Sequence, residues 1–238
     1  MPVLLLAALA HADPAEQMLT NSQGLPLRWT AMPVRFHIDA GNSAGLPEEA
    51  TVAAIVEAAA AWTFVDDAQV EYRFVGTESG AQGGYDDHSV VFFAEEWDGS
   101  PDLLAVTSTW SNEAGEILDF DLAINTADHG WSLDGDPEAG DLQNTLAHEF
   151  GHALGFGHDD ADTEATMFPS ARPGELTKRD LADSDVQIAR FAYPPIAEAI
   201  EEETTPTRLC ATAGAGPGLA TLAALLPLLL RRRSVRPC

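Results

Sequence analysis

Basic residues are scarce in this chain. Its 238 residues include 12 Lys and Arg against 38 Asp and Glu, a formal net charge of −26, and Lys178 is the only lysine. A strongly negative surface repels phosphate groups, so we expect no nucleic-acid partner. The same repulsion favours a soluble monomer. Two interpretations of the carboxylates are open: a solvated acidic surface, or ligands for calcium.

Cysteine is nearly absent as well. The two cysteines, Cys210 and Cys238, both lie within residues 209–238. The rest of the chain therefore has no disulfide and no thiolate metal ligand. Hydrophobic residues make up 45% of the sequence, which is enough for one domain with a core.

The first residues resemble a secretory signal peptide. Residues 3–10 are apolar and lead into Ala-His-Ala at 10–12, a pattern typical of a cleavage site. We therefore predict a signal peptide over residues 1–12, followed by a short N-terminal extension over residues 13–24. A buried N-terminal strand is the alternative.

The last residues predict a second targeting segment. Residues 196–208 have the composition of a flexible acidic linker, and residues 209–230 carry no charge before three arginines. As a helix, 22 residues span about 33 Å, just enough for a bilayer core. The hydrophobic segment at 209–238 resembles the MYXO-CTERM sorting tail of myxobacterial surface proteins, with Cys210 as the processing or anchoring position; an ordinary membrane helix is the alternative. We expect an exported protein, either extracellular or associated with the cell surface or outer membrane through a transient or C-terminal membrane contact.

The most specific motif is at residues 148–158, which read H-E-F-G-H-A-L-G-F-G-H. His148 and His152 are four residues apart, so on a helix they can bind one metal ion. Gly155 can end the helix and turn the chain so that His158 becomes a third ligand. Three protein ligands leave one tetrahedral position for water, as in catalytic zinc sites. Glu149 is placed to act as a general base on that water.

Hydrophobic periodicity predicts the elements around this motif. Pro47 opens a helical pattern, and Asp141 can cap the helix that carries the histidines. A last helix is predicted over residues 178–191. Alternating or apolar segments predict strands at residues 35–39, 70–75, 89–94, 103–110 and 117–125.

The histidine motif, the Thr-Met-Phe-Pro segment at 166–169 and the tail at 176–194 together resemble the metzincin clan of zinc peptidases, most closely the matrixins. The resemblance covers a catalytic domain at residues 25–195. It implies an α/β (α+β) fold: a twisted, mostly parallel five-stranded sheet with an antiparallel edge strand, two long helices and a C-terminal helix. It also implies that Met167 forms a Met-turn beneath the three histidines.

The implied function is a secreted or surface-anchored zinc endopeptidase. Glu149 would take a proton from the attacking water and deliver it to the leaving amine. The polypeptide substrate would bind as an extended strand beside residues 103–110, and residues 168–172 would line an apolar pocket for the side chain after the cleaved bond. Two alternatives are open: a non-catalytic zinc-containing surface binding module, and a zinc hydrolase of non-peptide amides.

The resemblance to the matrixins also gives expectations for metals other than the catalytic zinc. Matrixins use calcium for stability, and oxygen-rich loops suit that ion. His88 and His129 are isolated in the sequence, so we expect ordinary loop histidines and no second zinc site. No cysteine precedes the domain, so we expect no cysteine-switch latency. The candidate calcium ligands are Asp119, Asp121, Asp128, Asp134, Asp136 and Asp141.

Overall fold

A computed structural model describes residues 13–39 and 41–195. Its five longer strands and three helices agree in kind and order with those predicted from the sequence, whereas two short strands and a 3-10 turn were not predicted. In chain order they are β1 (Val34–Asp39), α1 (Glu48–Thr63), β2 (Tyr72–Glu78), β3 (Val90–Ala94), β4 (Ala105–Ser111), β5 (Ile117–Asn125), the short strands β6 (Trp131–Ser132) and β7 (Gly140–Asp141), α2 (Leu142–Ala153), a 3-10 turn (Thr177–Arg179) and α3 (Asp183–Ala192).

The main sheet has the strand order β2-β1-β3-β5-β4. Neighbouring strands are parallel except β4, which runs antiparallel to β5 at the edge. A short hairpin loop, residues 112–116, joins β4 to β5, whereas parallel neighbours need a longer crossover such as α1. The predicted mixed fold with a mostly parallel five-stranded sheet is confirmed.

The core lies between one face of the sheet and the helices α1 and α2. Phe36 of β1 contacts Phe150 of α2, with ring centroids 5.1 Å apart. The indole of Trp62 on α1 is fully buried and donates a hydrogen bond to the Ala147 carbonyl of α2 at 2.8 Å. Side chains alternate across a strand, so the neighbours of Phe36 point to the opposite face, which the two helices do not cover.

The last helix begins later than predicted. We expected it from residue 178, but residues 177–179 form a 3-10 turn and α3 starts at Asp183. Between them, Asp180 has an extended backbone, and the amide of buried Lys178 donates to Asn144 of α2. The Asp185 carboxylate then accepts the Ala182 amide at 2.8 Å and so caps α3. Tertiary contacts of residues 177–179 with α2 therefore prevent the helix from starting where the sequence pattern predicted.

The predicted signal peptide at 1–12, the linker at 196–208 and the hydrophobic segment at 209–238 lie outside the described residues. Within 13–39 and 41–195, no helix combines the length and apolar character needed to cross a bilayer. The boundaries predicted at residues 12, 24, 195 and 208 stay predictions.

Candidate active site

Helix α2 carries the histidine motif and is anchored at its first residue. Asp141 accepts the Asn144 amide at 2.9 Å, so the predicted cap is confirmed. The guanidinium of Arg179 donates two further bonds to the same carboxylate, at 2.9 and 2.6 Å. The Asp141 side chain is fully buried. This pair joins the start of the motif helix to the 3-10 turn before α3.

Helix α2 ends in a turn that requires glycine. Gly155 has φ +89°, and the amides of Gly155 and Phe156 donate to the carbonyls of His152 and Gly151, the Schellman pattern. A Cβ at Gly155 would lie 2.2 Å from the Leu27 carbonyl oxygen. The N-terminal segment therefore packs directly on this turn, which leads the chain to His158.

The turn brings the three predicted histidines together. One ligand atom from each of His148, His152 and His158 lies within 4.8 Å of the other two. The Nδ1 atoms of His148 and His152 lie 2.7 Å from the carbonyl oxygens of Thr166 and Phe156. A carbonyl only accepts, so each Nδ1 carries the proton and each Nε2 lone pair is free for a metal.

The donor geometry fits a tetrahedral zinc ion. The Nε2 atoms of His152 and His158 are 3.2 Å apart. Two nitrogens bound to one tetrahedral zinc at about 2.0–2.1 Å would be roughly 3.3 Å apart. Burial lowers the pKa of all three histidines, most strongly that of His148, and so favours the neutral form that can bind a cation.

Glu149 lies in the same cavity as the histidines, with 7% of its surface exposed. Burial raises the pKa of its carboxyl to about 7, against the hydrogen bonds from Thr107, which lower it. The Thr107 hydroxyl is 2.7 Å from Glu149 Oε2 and 3.1 Å from the Glu149 carbonyl oxygen. Sequence reasoning missed Thr107 because only the packing of β4 on α2 brings the two residues together.

Met167 packs against the inner side of α2. A Cβ at Gly151, between the two helical histidines, would lie 2.2 Å from the Met167 sulfur. The Asp185 carboxylate accepts the amides of Thr166 and Met167 at 2.7 and 3.0 Å, which holds the turn against α3. Sequence reasoning missed Asp185 too, since no motif marks a residue that acts from a neighbouring helix.

The histidines open into a cavity of about 430 Å³. Residues 102–107 and 109, on and before the edge strand β4, form one side of it, and Phe168, Pro169, Ser170 and Ala171 form part of the lining. The segment predicted to pair with the substrate (103–110) and the segment predicted to line its side-chain pocket (168–172) thus both border this cavity. Buried Lys178 also lines it, paired with Glu175 at 3.5 Å, a charge the sequence did not lead us to expect there.

The candidate calcium ligands lie in different parts of the structure. Asp119 and Asp121 accept amides of the loop before β3, whereas Asp141 caps α2. His129 is half-buried, and its Nε2 lies 2.9 Å from the Pro101 carbonyl oxygen, as in an ordinary loop histidine. His88 is isolated in the sequence but not in the structure. Its ring lies beside His37 and Glu78, because the strand order places β2, β1 and β3 side by side.

Known proteins resemble the same part of the chain. The matrixin family model matches residues 28–193. The chain is 35% identical to metalloendoproteinase 2-MMP of Arabidopsis thaliana over 74 residues, which cover 28% of this chain and 19% of that protein. It is 38% identical to metalloendoproteinase 1 of Glycine max over 73 residues, 28% of this chain and 23% of the relative.

A third relative, metalloendoproteinase 1-MMP of Arabidopsis thaliana, is 31% identical over 106 residues, 36% of this chain and 29% of its own length. The chain thus spans less than a third of each of these relatives. The family match is much longer and includes the sheet, α2, the histidine triad and α3. Matrixins use zinc, and the chain belongs to the matrixin family.

Proposed function

We propose that this chain is a zinc endopeptidase whose metal ligands are His148, His152 and His158 and whose general base is Glu149. The observation that carries the proposal is the convergence of three imidazoles and one buried carboxylate in one cavity. A zinc ion held by these imidazoles supplies Lewis acidity and an activated water. The names of the plant relatives, all metalloendoproteinases, agree with this reaction class.

Glu149 has the properties that the proton transfers require. Its carboxyl has a pKa of about 7, close to neutral pH, so it can both accept a proton and return it to a leaving amine. The bond from Thr107 fixes one carboxylate oxygen and leaves the other free. A binding module would have no use for a base of this kind beside the first metal ligand.

The edge strand β4 supports an extended polypeptide as substrate. One side of β4 pairs with β5, and β4 has no further strand neighbour in the described sheet. An edge strand offers free amide and carbonyl groups that a peptide can pair with. The side chain after the cleaved bond would enter the space beside Phe168 and Ala171, which favours apolar groups there.

Three further predictions accompany this function. We propose that the chain is exported through residues 1–12, and that residues 209–238 act as a sorting or membrane segment. The mass of the mature protein tests the tail, because an intact chain to Cys238 would contradict processing at Cys210. Calcium binding stays a prediction, and a melting temperature that calcium and chelators leave unchanged would count against it.

The decisive experiment compares the full-length chain with its Glu149→Ala variant at equal zinc content. We expect the wild type to cleave a general protein substrate such as casein and lose this activity in chelator. Glu149→Ala should keep its zinc and be inactive, while a control at an exposed carboxylate, Glu164→Ala, should keep full activity. Two folded, zinc-loaded and equally inactive proteins would instead favour the binding module.

A further inference from the structure

Three metal-binding side chains meet on the face of the sheet that the helices leave uncovered. His37 lies on β1, Glu78 is the last residue of β2, and His88 lies two residues before β3. One ligand atom from each lies within 4.8 Å of the other two. His88 Nε2 is 2.7 Å from Glu78 Oε2, and the rings of His37 and His88 stack with centroids 4.1 Å apart.

A β-bulge brings Glu78 into this group. The pairing of β1 with β2 shifts by one residue, from Phe36 opposite Phe74 to His37 opposite Gly76. One inserted residue moves the following side chains to the other face of the strand. Glu78 is therefore on the same face as His37 instead of the opposite one. Gly76, which pairs with His37, has no side chain, and a Cβ there would have no atom within 4 Å.

The loop between Glu78 and His88 is held in place by buried carboxylates. Asp39 accepts the Ala81 amide at 2.7 Å, and Asp121 accepts the Gly84 amide at 2.8 Å. Asp119 accepts the amides of the two residues before His88, each at 3.1 Å. The two ends of the loop therefore present their ligands before any ion binds, which reduces the ordering that binding would require.

We propose that His37, Glu78 and His88 bind a divalent transition-metal ion of the zinc type, at a site distinct from the histidine triad of α2. Two imidazoles and one carboxylate form a known zinc donor set, whereas calcium and magnesium prefer oxygen ligands. The side chains of His88 and Glu78 are 40% and 30% exposed, so water can complete the coordination.

The bound ion joins β1 and β2 to the segment just before β3 and closes a loop. Glu78 and His88 are ten residues apart and lie at the two ends of the loop between β2 and β3. A metal held at both ends fixes that loop in the folded chain, and because the three ligands meet only in the fold, binding favours the folded state. The competing explanation is a simple ion pair between His88 and Glu78 with His37 stacked on it, which needs no metal.

Counting zinc separates the two explanations. The full-length Glu149→Ala protein, which cannot digest itself, is stripped with chelator, reloaded at saturating free zinc and analysed for metal per chain. We expect two zinc ions in this background and one after His37→Gln, which leaves the His88–Glu78 pair intact. His129→Gln, a control histidine outside the cluster, should keep two. His152→Gln should lose the other ion and keep the one proposed here.

The opposite pattern would overturn the site: one zinc in the background protein, unchanged by His37→Gln and absent after His152→Gln. A second readout is chymotrypsin cleavage after Tyr85, which is 52% exposed in the loop. Zinc should slow this cut in the background protein and not after His37→Gln. Equal cutting rates with and without zinc in the background protein would also count against the site.

Discussion

Gly155→Ala tests whether the turn after α2 is as constrained as its geometry indicates. Gly155 has φ +89°, a region that costs an L-residue roughly 1–2 kcal/mol. Its new Cβ would also lie 2.2 Å from the Leu27 carbonyl oxygen, below the 3.0 Å that real Cβ atoms respect. That contact is with backbone, which cannot rotate away, so the clash adds about 1–3 kcal/mol to the loss of stability.

Gly24→Ala is the matched control for this change. Gly24 has φ +78°, and a Cβ there would have no atom within 4 Å. Both substitutions share the cost of positive φ and the lower entropy of the unfolded chain, so their difference isolates the clash. We expect Gly155→Ala to reduce the free energy of unfolding by about 1–3 kcal/mol more than Gly24→Ala.

The assay is urea unfolding followed by tryptophan fluorescence, in the Glu149→Ala background, with chelator and with zinc. The turn leads directly to His158, so Gly155→Ala should also weaken zinc binding and shrink the stabilisation that zinc provides. Equal unfolding free energies for Gly155→Ala and Gly24→Ala, with the same gain from zinc, would refute the reasoning.

Two further changes test the surroundings of the site. Thr107→Val removes the side-chain hydrogen bond to Glu149 Oε2, which lowers the Glu149 pKa, so that pKa should rise. Because the base must be ionised, the acid limb of kcat/KM should move to higher pH, while Thr107→Ser should keep the wild-type profile. Arg179→Met leaves the buried Asp141 carboxylate without its cation, and thermal or urea unfolding should show a loss of about 2–4 kcal/mol. Adding Asp141→Asn should recover part of that loss. An Arg179→Met variant as stable as the wild type would show that the pair does not anchor α2.

The strands and helices could largely be predicted because the core faces repeat with regular periods. The hydrophobic pattern located all five strands of the main sheet and the start of α1 to within a few residues, and the histidine motif with its Asp141 cap located the start of α2. The start of α3 could not be predicted in this way. The 3-10 turn at residues 177–179, where the helix was predicted to begin, is held by Asn144, which belongs to α2 and lies 34 residues earlier in the chain than Lys178.

The histidine triad could be predicted because its residues are close in the sequence. The residues that hold the site from other elements could not. His148, His152 and His158 lie within eleven residues, so helix geometry and one glycine turn suffice to bring them together. Thr107 and Asp185 reach the same site from β4 and α3. Neither lies in a motif, and only the packing of those elements on α2 gives them a role.

The cluster around His88 was still less predictable from the sequence. By itself His88 is a loop histidine, and its partners are 10 and 51 residues away in the sequence. The strand order places β2, β1 and β3 side by side, and a single inserted residue in β2 turns Glu78 to the shared face. The sequence by itself determined the local motif, its helix and its glycine turn, because those depend on near neighbours. The tertiary structure decided which distant side chains meet, because strand order and register depend on packing across the whole domain.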